Sequence, residues 1–259
     1  MTILYALILG IIQGLTEFLP ISSSGHLMLF ENIFGIESSL FFNLLLHVAS
    51  LMAVIIVLWG RVVKIVKNPF GKEMKMIVIA TIPTVILALI VEFFIDNYLL
   101  NLFVGFGFLI SSILIFVTSF LQRKSININS CLTNKKAFVI GLVQGFAVLP
   151  GISRSGSTIC AGLLQKVDRE QSAEFSFILS IPIIIGGMLF EIFKGYKNGF
   201  GNVEFLPCLV GFLASFIVAL LSIKLMMKIV RKGNWFWFSL YLAFVSVFTL
   251  LNQFVFGWF

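Results

Sequence analysis

Long apolar runs, interrupted at wide intervals by short clusters of charge, dominate this chain. The runs are continuous and do not alternate, so they read as helices and not as strands of an outer-membrane barrel. A helix crossing a bilayer needs about 20 apolar residues. Six stretches qualify, at roughly 40–60, 76–95, 102–121, 174–193, 208–227 and 236–256. Two others fall short. Ile3–Leu19 runs into Pro20, and only Leu27–Ile36 remains before Glu37; Ala137–Leu149 and Ile159–Leu164 flank Pro150 in the same way. At about 1.5 Å per residue, the shorter of these arms reach only mid-membrane. Each pair is therefore expected to be a re-entrant helical hairpin, its broken tip surrounded by protein or a wet cavity.

Composition agrees with a polytopic membrane protein. The chain is 59% hydrophobic and 11% charged, with 30 phenylalanines and a mean hydropathy of +1.09; soluble domains carry about 25% charged residues. No Lys or Arg precedes Arg61, so a cleavable signal peptide is not expected. Cys131, Cys160 and Cys208 lack metal-site spacing, and the last two read as small apolar fillers. The net charge of +7 sits mostly in three segments, 61–75, 122–136 and 224–234, which points to topology and not to nucleic acid. The positive-inside rule assigns these segments to the cytoplasm. Trp235, Trp237 and Trp258 read as lipid-facing or interfacial anchors, and the pairs Gly105/Gly107 and Gly186/Gly187 as sites of close helix packing.

Two of the broken stretches nearly repeat one another: GIIQGLTEFLPISSSG (10–25) and GLVQGFAVLPGISRSG (141–156). Gln13 and Gln144, Ser22 and Ser153, and Gly25 and Gly156 each lie 131 residues apart. Three spans separate the two hairpins, so the first is expected to enter from outside and the second from the cytoplasm. The expected fold is an all-α integral membrane protein, one domain over 1–259, with six transmembrane helices and two re-entrant hairpins. Residues 1–121 and 137–256 form its inverted-topology repeats.

The tips carry the chemistry. Gln13 and Glu17 share a helix face at i, i+4, and the hydroxyl run Ser22–Ser24 with Gly25 and His26 follows Pro20. Ser23 and His26, three apart, suit a nucleophile and its base in a first helical turn. The second tip offers Arg154 among Ser153, Ser155, Gly156, Ser157 and Thr158; a guanidinium beside hydroxyls and helix-start amides matches phosphate oxygens. Ser24, Ser155 and Ser157 also read simply as caps. His47, Glu92 and Glu191 are secondary candidates for lining a lipid-tail or water path, and Glu174 for a role near the second motif.

QGLTEFLPISSSGHL (13–27) and PGISRSGST (150–158) resemble the two signature motifs of the undecaprenyl-diphosphate phosphatase family linked to bacitracin resistance. The resemblance spans essentially the whole chain. It implies a multi-pass enzyme of the bacterial plasma membrane that removes the terminal phosphate of a polyprenyl diphosphate, yielding the lipid carrier for cell-wall synthesis. By motif position, Glu17, Ser23, His26 and Arg154 are the expected catalytic residues. Ser23 is the nucleophile, His26 the base or, in a rival scheme, the nucleophile itself, and Arg154 the phosphate grip. Gln13, Ser22, Gly25, Ser153, Ser155, Gly156 and Thr158 are expected to contact substrate. Glu17 is the candidate ligand for a divalent cation, Mg²⁺ or Ca²⁺, held largely by the substrate phosphates; Gln13 stands where the family has Glu or Gln. A homodimer is expected as a further option. The alternative from the same architecture is a secondary transporter or lipid flippase for an anionic substrate.

Overall fold

The computed structural model describes residues 2–36, 38–95, 97–124, 130–199, 204–233 and 235–257. Among them the chain is helical throughout, with one isolated bridge pairing Ser130 and Val167. The helices are α1 (Ile3–Thr16), α2 (Ser23–Phe34), α3 (Leu40–Val57), α4 (Trp59–Val66), α5 (Lys72–Phe94) and α6 (Asn97–Lys124). They continue as α7 (Asn134–Phe146), α8 (Arg154–Leu164), α9 (Arg169–Asn198), α10 (Phe205–Lys232) and α11 (Phe236–Leu251), the last running on through one π-helical turn, Asn252–Phe256. Six of them, α3, α5, α6, α9, α10 and α11, are long and apolar enough to cross a membrane, and they match the six stretches expected. This is a multi-pass membrane protein.

The other helices explain how the bundle holds a site. Helices α1 and α2 make one short pair and α7 and α8 another, each interrupted at the proline-containing break. Small residues let them seat deeply. A Cβ at Gly10 would lie 2.4 Å from the Gly211 carbonyl oxygen, and one at Gly14 2.4 Å from that of Ser215. A Cβ at Gly141 would lie 2.1 Å from the Ala80 carbonyl oxygen, and one at Gly145 2.5 Å from Leu87. So α1 lies against α10 and α7 against α5, backbone to backbone. Both contacts are parallel, since rising numbers in one helix meet rising numbers in the other. Helix α5 leaves a basic segment whereas α10 runs into one, so the two short pairs enter the bundle from opposite ends. That geometry is compatible with two re-entrant hairpins of opposite orientation.

Burial marks the same two ends. At one, Ala6, Leu9, Leu27, Phe42, Leu46 and Cys208 form a core cluster where α1, α2, α3 and the start of α10 meet. At the other, Arg61 pairs with Glu174 and Glu73, and Arg231 with Glu170. Glu174 is thus a partner of Arg61 at the end of the basic segments, away from the hairpin tips. Three expectations change here. Trp235 is buried, because it joins the main core cluster, whereas Trp237 is exposed; Trp258 lies outside the described residues. A Cβ at Gly186 or Gly187 would meet nothing within 4 Å, and both line a cavity, so these glycines open space instead of packing helices. Gly107 does serve close approach, but to the second tip: a Cβ there would lie 2.2 Å from the Pro150 carbonyl oxygen.

Candidate active site

The two breaks meet. A Cβ on Gly25 would sit 2.9 Å from the Cα of Gly151, and one on Gly156 3.0 Å from the Cβ of Pro20. Ser155 Oγ donates to the Leu19 carbonyl at 3.0 Å, tying the second tip to the first. Gly151 itself has φ +83 and faces Val104 so closely that a side chain has no room, so glycine is required at that turn.

Each second helix begins with a hydroxyl cap. Ser22 Oγ accepts from the Gly25 amide at 3.3 Å and Ser153 Oγ from the Gly156 amide at 3.1 Å. The cap at Ser153 is held in turn by its own amide donating to Ser111 Oγ at 2.8 Å. Ser22 has φ +70, an unfavourable conformation for a non-glycine residue. Its carbonyl nevertheless accepts twice from His26, from the amide at 3.2 Å and from Nδ1 at 2.8 Å. Those bonds hold a strained residue immediately before Ser23.

Glu17 is the centre of the junction. One carboxylate oxygen accepts from Ser23 Oγ at 2.5 Å and from Gln13 Nε2 at 3.0 Å, and the other pairs with the guanidinium of Arg154. The Glu17 side chain is 4% exposed and that of Arg154 17%, so the pair is largely removed from solvent. A desolvated charge must be paired to be tolerated, and three donors on one carboxylate meet that demand. Ser23 and Arg154 are the first residues of α2 and α8. Both helix starts therefore aim free amide groups at the same small volume.

That junction opens into a cavity of about 650 Å³. Glu17, Ser22, Ser23, Ser153 and Arg154 form its polar end, with Ser24 beside them. Its walls are apolar, including Leu40, Leu44, Val85, Leu89, Ile183 and Phe190. Glu92 and Glu191 line the cavity near the far ends of α5 and α9, where Lys194 Nζ lies 2.5 Å from Glu92 and 3.7 Å from Glu191. A charged floor under a greasy channel is the shape expected of a site for an amphiphile with an anionic head.

Comparison with known proteins bears directly on this arrangement. The family model described as "Bacitracin resistance protein BacA" matches residues 6–248. The chain belongs to the BacA family. A protein of Carboxydothermus hydrogenoformans named undecaprenyl-diphosphatase is 36% identical over 252 residues, covering 96% of each chain. One of the same name from Bacteroides thetaiotaomicron is 38% identical over 268 residues, covering 98% of this chain and all of that one. Undecaprenyl-diphosphatase 2 of Bacillus thuringiensis (strain Al Hakam) is 38% identical over 265 residues, covering 96% and 97%.

Within this BacA-family site, the expected residues divide into a front and a back row. Glu17, Ser22, Ser23, Ser153 and Arg154 face the cavity, whereas Gln13, Gly25, His26, Ser155, Gly156 and Thr158 do not line it. Gln13 supports Glu17 from behind. Thr158 Oγ1 bonds back to the Arg154 carbonyl at 2.9 Å and meets Ser176 Oγ at 2.5 Å, so its hydroxyl is spent inside the protein. The glycines serve the close contact of the tips.

The expected Ser23–His26 pairing is replaced by another. Ser23 Oγ donates its hydrogen bond to Glu17, and His26 Nε2 meets the Tyr241 hydroxyl at 2.8 Å. A carbonyl only accepts, so Nδ1 carries the hydrogen that reaches Ser22, and in the neutral ring Nε2 accepts from Tyr241. The imidazole also stacks on Tyr241 and meets Phe108 edge-on. His26 is thus packed behind the helix start it stabilises.

Helix α3 brings His47 and Asn43 to the cavity wall, and α7 brings Gln144. The sequence offers His47 as a candidate for lining a lipid-tail or water path, and the fold places it on this wall. A metal cage built from protein ligands alone does not suit these donors. Among the described residues no three His, Cys, Asp or Glu side chains gather closely enough to hold an ion.

Proposed function

We propose that this chain hydrolyses undecaprenyl diphosphate to undecaprenyl phosphate and inorganic phosphate, regenerating the lipid carrier of cell-wall synthesis and conferring bacitracin resistance. The observation that carries the reading is the Arg154–Glu17–Ser23 cluster at the polar end of an apolar cavity. Family membership and relatives named undecaprenyl-diphosphatase over nearly the full chain support the same chemistry.

In this reading the prenyl chain lies along the apolar wall, and the diphosphate meets Arg154 and the amides that start α2 and α8. Arg154 turns from Glu17 toward the terminal phosphate, a fork that matches two phosphate oxygens. Ser23 Oγ forms a bond to the terminal phosphorus as the bond to the bridging oxygen breaks. The Ser23 proton moves to Glu17, already its hydrogen-bond acceptor at 2.5 Å. Undecaprenyl phosphate leaves, and water then cleaves the phosphoserine to free inorganic phosphate. Developing charge on the phosphoryl oxygens meets groups fixed before the reaction, which is how such sites lower a barrier. No step runs through a metal; Mg²⁺ or Ca²⁺ enters the proposal only as a counter-ion carried by the diphosphate. His26 acts through position, clamping the Ser22 carbonyl so that Ser23 stays aimed at the cavity.

The reading extends to placement. Residues 1–121 and 137–256 are proposed to be inverted copies in a bacterial plasma membrane, each contributing one re-entrant tip. The cavity rises from the tips toward the ends of α5 and α9, away from the basic segments, which under the positive-inside rule is the outer face. Self-association into a homodimer is carried as a further part of the proposal.

The test uses purified protein in detergent with undecaprenyl diphosphate. Release of inorganic phosphate, with acid quenching that traps phosphate on Ser23, is the expected result. Tight binding of the diphosphate by wild-type protein without any phosphate release overturns the reading and favours transport.

A further inference from the structure

Resting on the reaction just described, one requirement of its second half is left without a residue. When Ser23 attacks, its proton goes to Glu17; the departing lipid phosphate is a stable anion and leaves without a proton. Glu17 is then the acid that must return the proton to Ser23 Oγ when the phosphoserine breaks. The water that attacks phosphorus therefore needs a different base.

The chain has two histidines. His26 has both ring nitrogens engaged, with Ser22 and Tyr241, and does not line the cavity. His47 lines it. Its Nδ1 lies 2.9 Å from the Asn43 carbonyl one helical turn back, so Nδ1 carries the hydrogen. That fixes the tautomer and leaves Nε2 with a lone pair and no hydrogen-bond partner among the described residues. His47 is also within electrostatic reach of Glu17. The groups sharing the cavity with it are Glu17 from the end of α1, Ser23 from α2, Arg154 from α8, and Glu92 and Glu191 from α5 and α9, with Lys194 bridging the last two.

We propose that His47 is the base of the dephosphorylation step. Its Nε2 takes a proton from the attacking water as the water oxygen bonds to phosphorus. The bond from phosphorus to Ser23 Oγ breaks, and Oγ recovers its proton from Glu17. Inorganic phosphate leaves, and His47 passes its proton to the departing phosphate or to solvent. Two acid–base groups thus work in turn: Glu17 serves both halves of the reaction at Ser23, and His47 serves the water alone.

The experiment is rapid-mix kinetics on the full-length protein in detergent with undecaprenyl diphosphate, comparing wild type, His47→Gln and His47→Ala. Both variants are expected to form one equivalent of undecaprenyl phosphate in a burst. Steady-state phosphate release then falls about 100-fold, in the range of a lost general base, and phosphate accumulates on Ser23. Added imidazole is expected to restore turnover in His47→Ala. The burst itself certifies that each variant is folded and that the first step is intact. Wild-type steady-state turnover in either variant overturns the assignment, as does loss of the burst together with turnover. Absence of phosphate release from the wild-type protein instead overturns the phosphatase reading, so the two failures are distinguishable.

Discussion

The two proline-broken tips share a frame and differ in what they display. Each presents a serine cap, a helix that starts on the next residue and a glycine three positions after the cap. Each first helix lies by its glycines against a long helix whose backbone it touches. Yet the residue that opens the second helix is Ser23 in one and Arg154 in the other, 131 positions apart. The carboxylate that both engage, Glu17, belongs to the first tip alone, where the second has Ala147 or Val148. A common scaffold thus delivers a hydroxyl and a guanidinium to one carboxylate from opposite ends of the bundle. Neither tip by itself carries both the hydroxyl nucleophile and the guanidinium.

If the division is real, removing the hydroxyl should be worse than weakening the grip. Ser23→Ala is expected to lower turnover by more than about 1,000-fold and to abolish acid-stable label on the protein, while substrate binding persists. Retention of even a tenth of wild-type turnover would move the nucleophile elsewhere in the site.

Arg154→Ala comes next. Loss of one preorganised donor to the transition state costs about 100- to 1,000-fold in kcat, and Lys at this position should recover only part, lacking the planar fork. The same change strands Glu17, and breaking a buried pair costs about 3–5 kcal/mol. Thermal unfolding must therefore be followed alongside activity. Pairing Arg154→Ala with Glu17→Gln is expected to recover stability without recovering turnover, which separates the structural use of the pair from its chemical one.

The tips were legible because they are long, polar in the wrong place and nearly duplicated; Glu17 and Arg154 inside apolar stretches demanded a partner, and each proved to be the other's. The six spans followed from continuous apolar length. What local spacing could not carry was direction. Ser23 and His26 sit three apart, but the Ser22 carbonyl captures the imidazole, and Tyr241 completes the capture from 215 positions away. Trp235 reads as an interfacial anchor until the fold buries it, and Gly186 and Gly187 as packing residues until the fold places them on a cavity. These outcomes depend on distant helices, which no window of the sequence contains.

The scaffold half of the comparison is tested by glycines rather than by chemistry. Gly10→Ala and Gly141→Ala place a methyl 2.4 Å and 2.1 Å from a carbonyl oxygen of the neighbouring helix. Each should destabilise by about 1–3 kcal/mol through overpacking, read as a lowered unfolding midpoint in detergent. Gly186→Ala meets no neighbour within 4 Å and should be neutral or up to about 1 kcal/mol stabilising, from helix propensity. Similar losses at Gly10 and Gly141 would support one packing solution used twice; a loss at only one would mean the frames differ more than their glycines suggest.

The smallest expected effect lies behind the first tip. Its helix carries His26 where the second has Ser157, and the strained Ser22 has no counterpart, since Ser153 adopts an ordinary extended conformation with φ −76. Imidazole and strain go together: the ring holds the Ser22 carbonyl in place, and Tyr241 holds the ring. Tyr241→Phe removes one hydroxyl while the stacked ring remains, and the net worth of such a bond is about 1 kcal/mol. Turnover should fall only a few-fold, with KM nearly unchanged, because the lost contact governs the aim of Ser23 and not the grip on phosphate. A fall comparable to that of Ser23→Ala would instead make His26 a participant in the chemistry, and the comparison between the tips would need a second reactive group on the first.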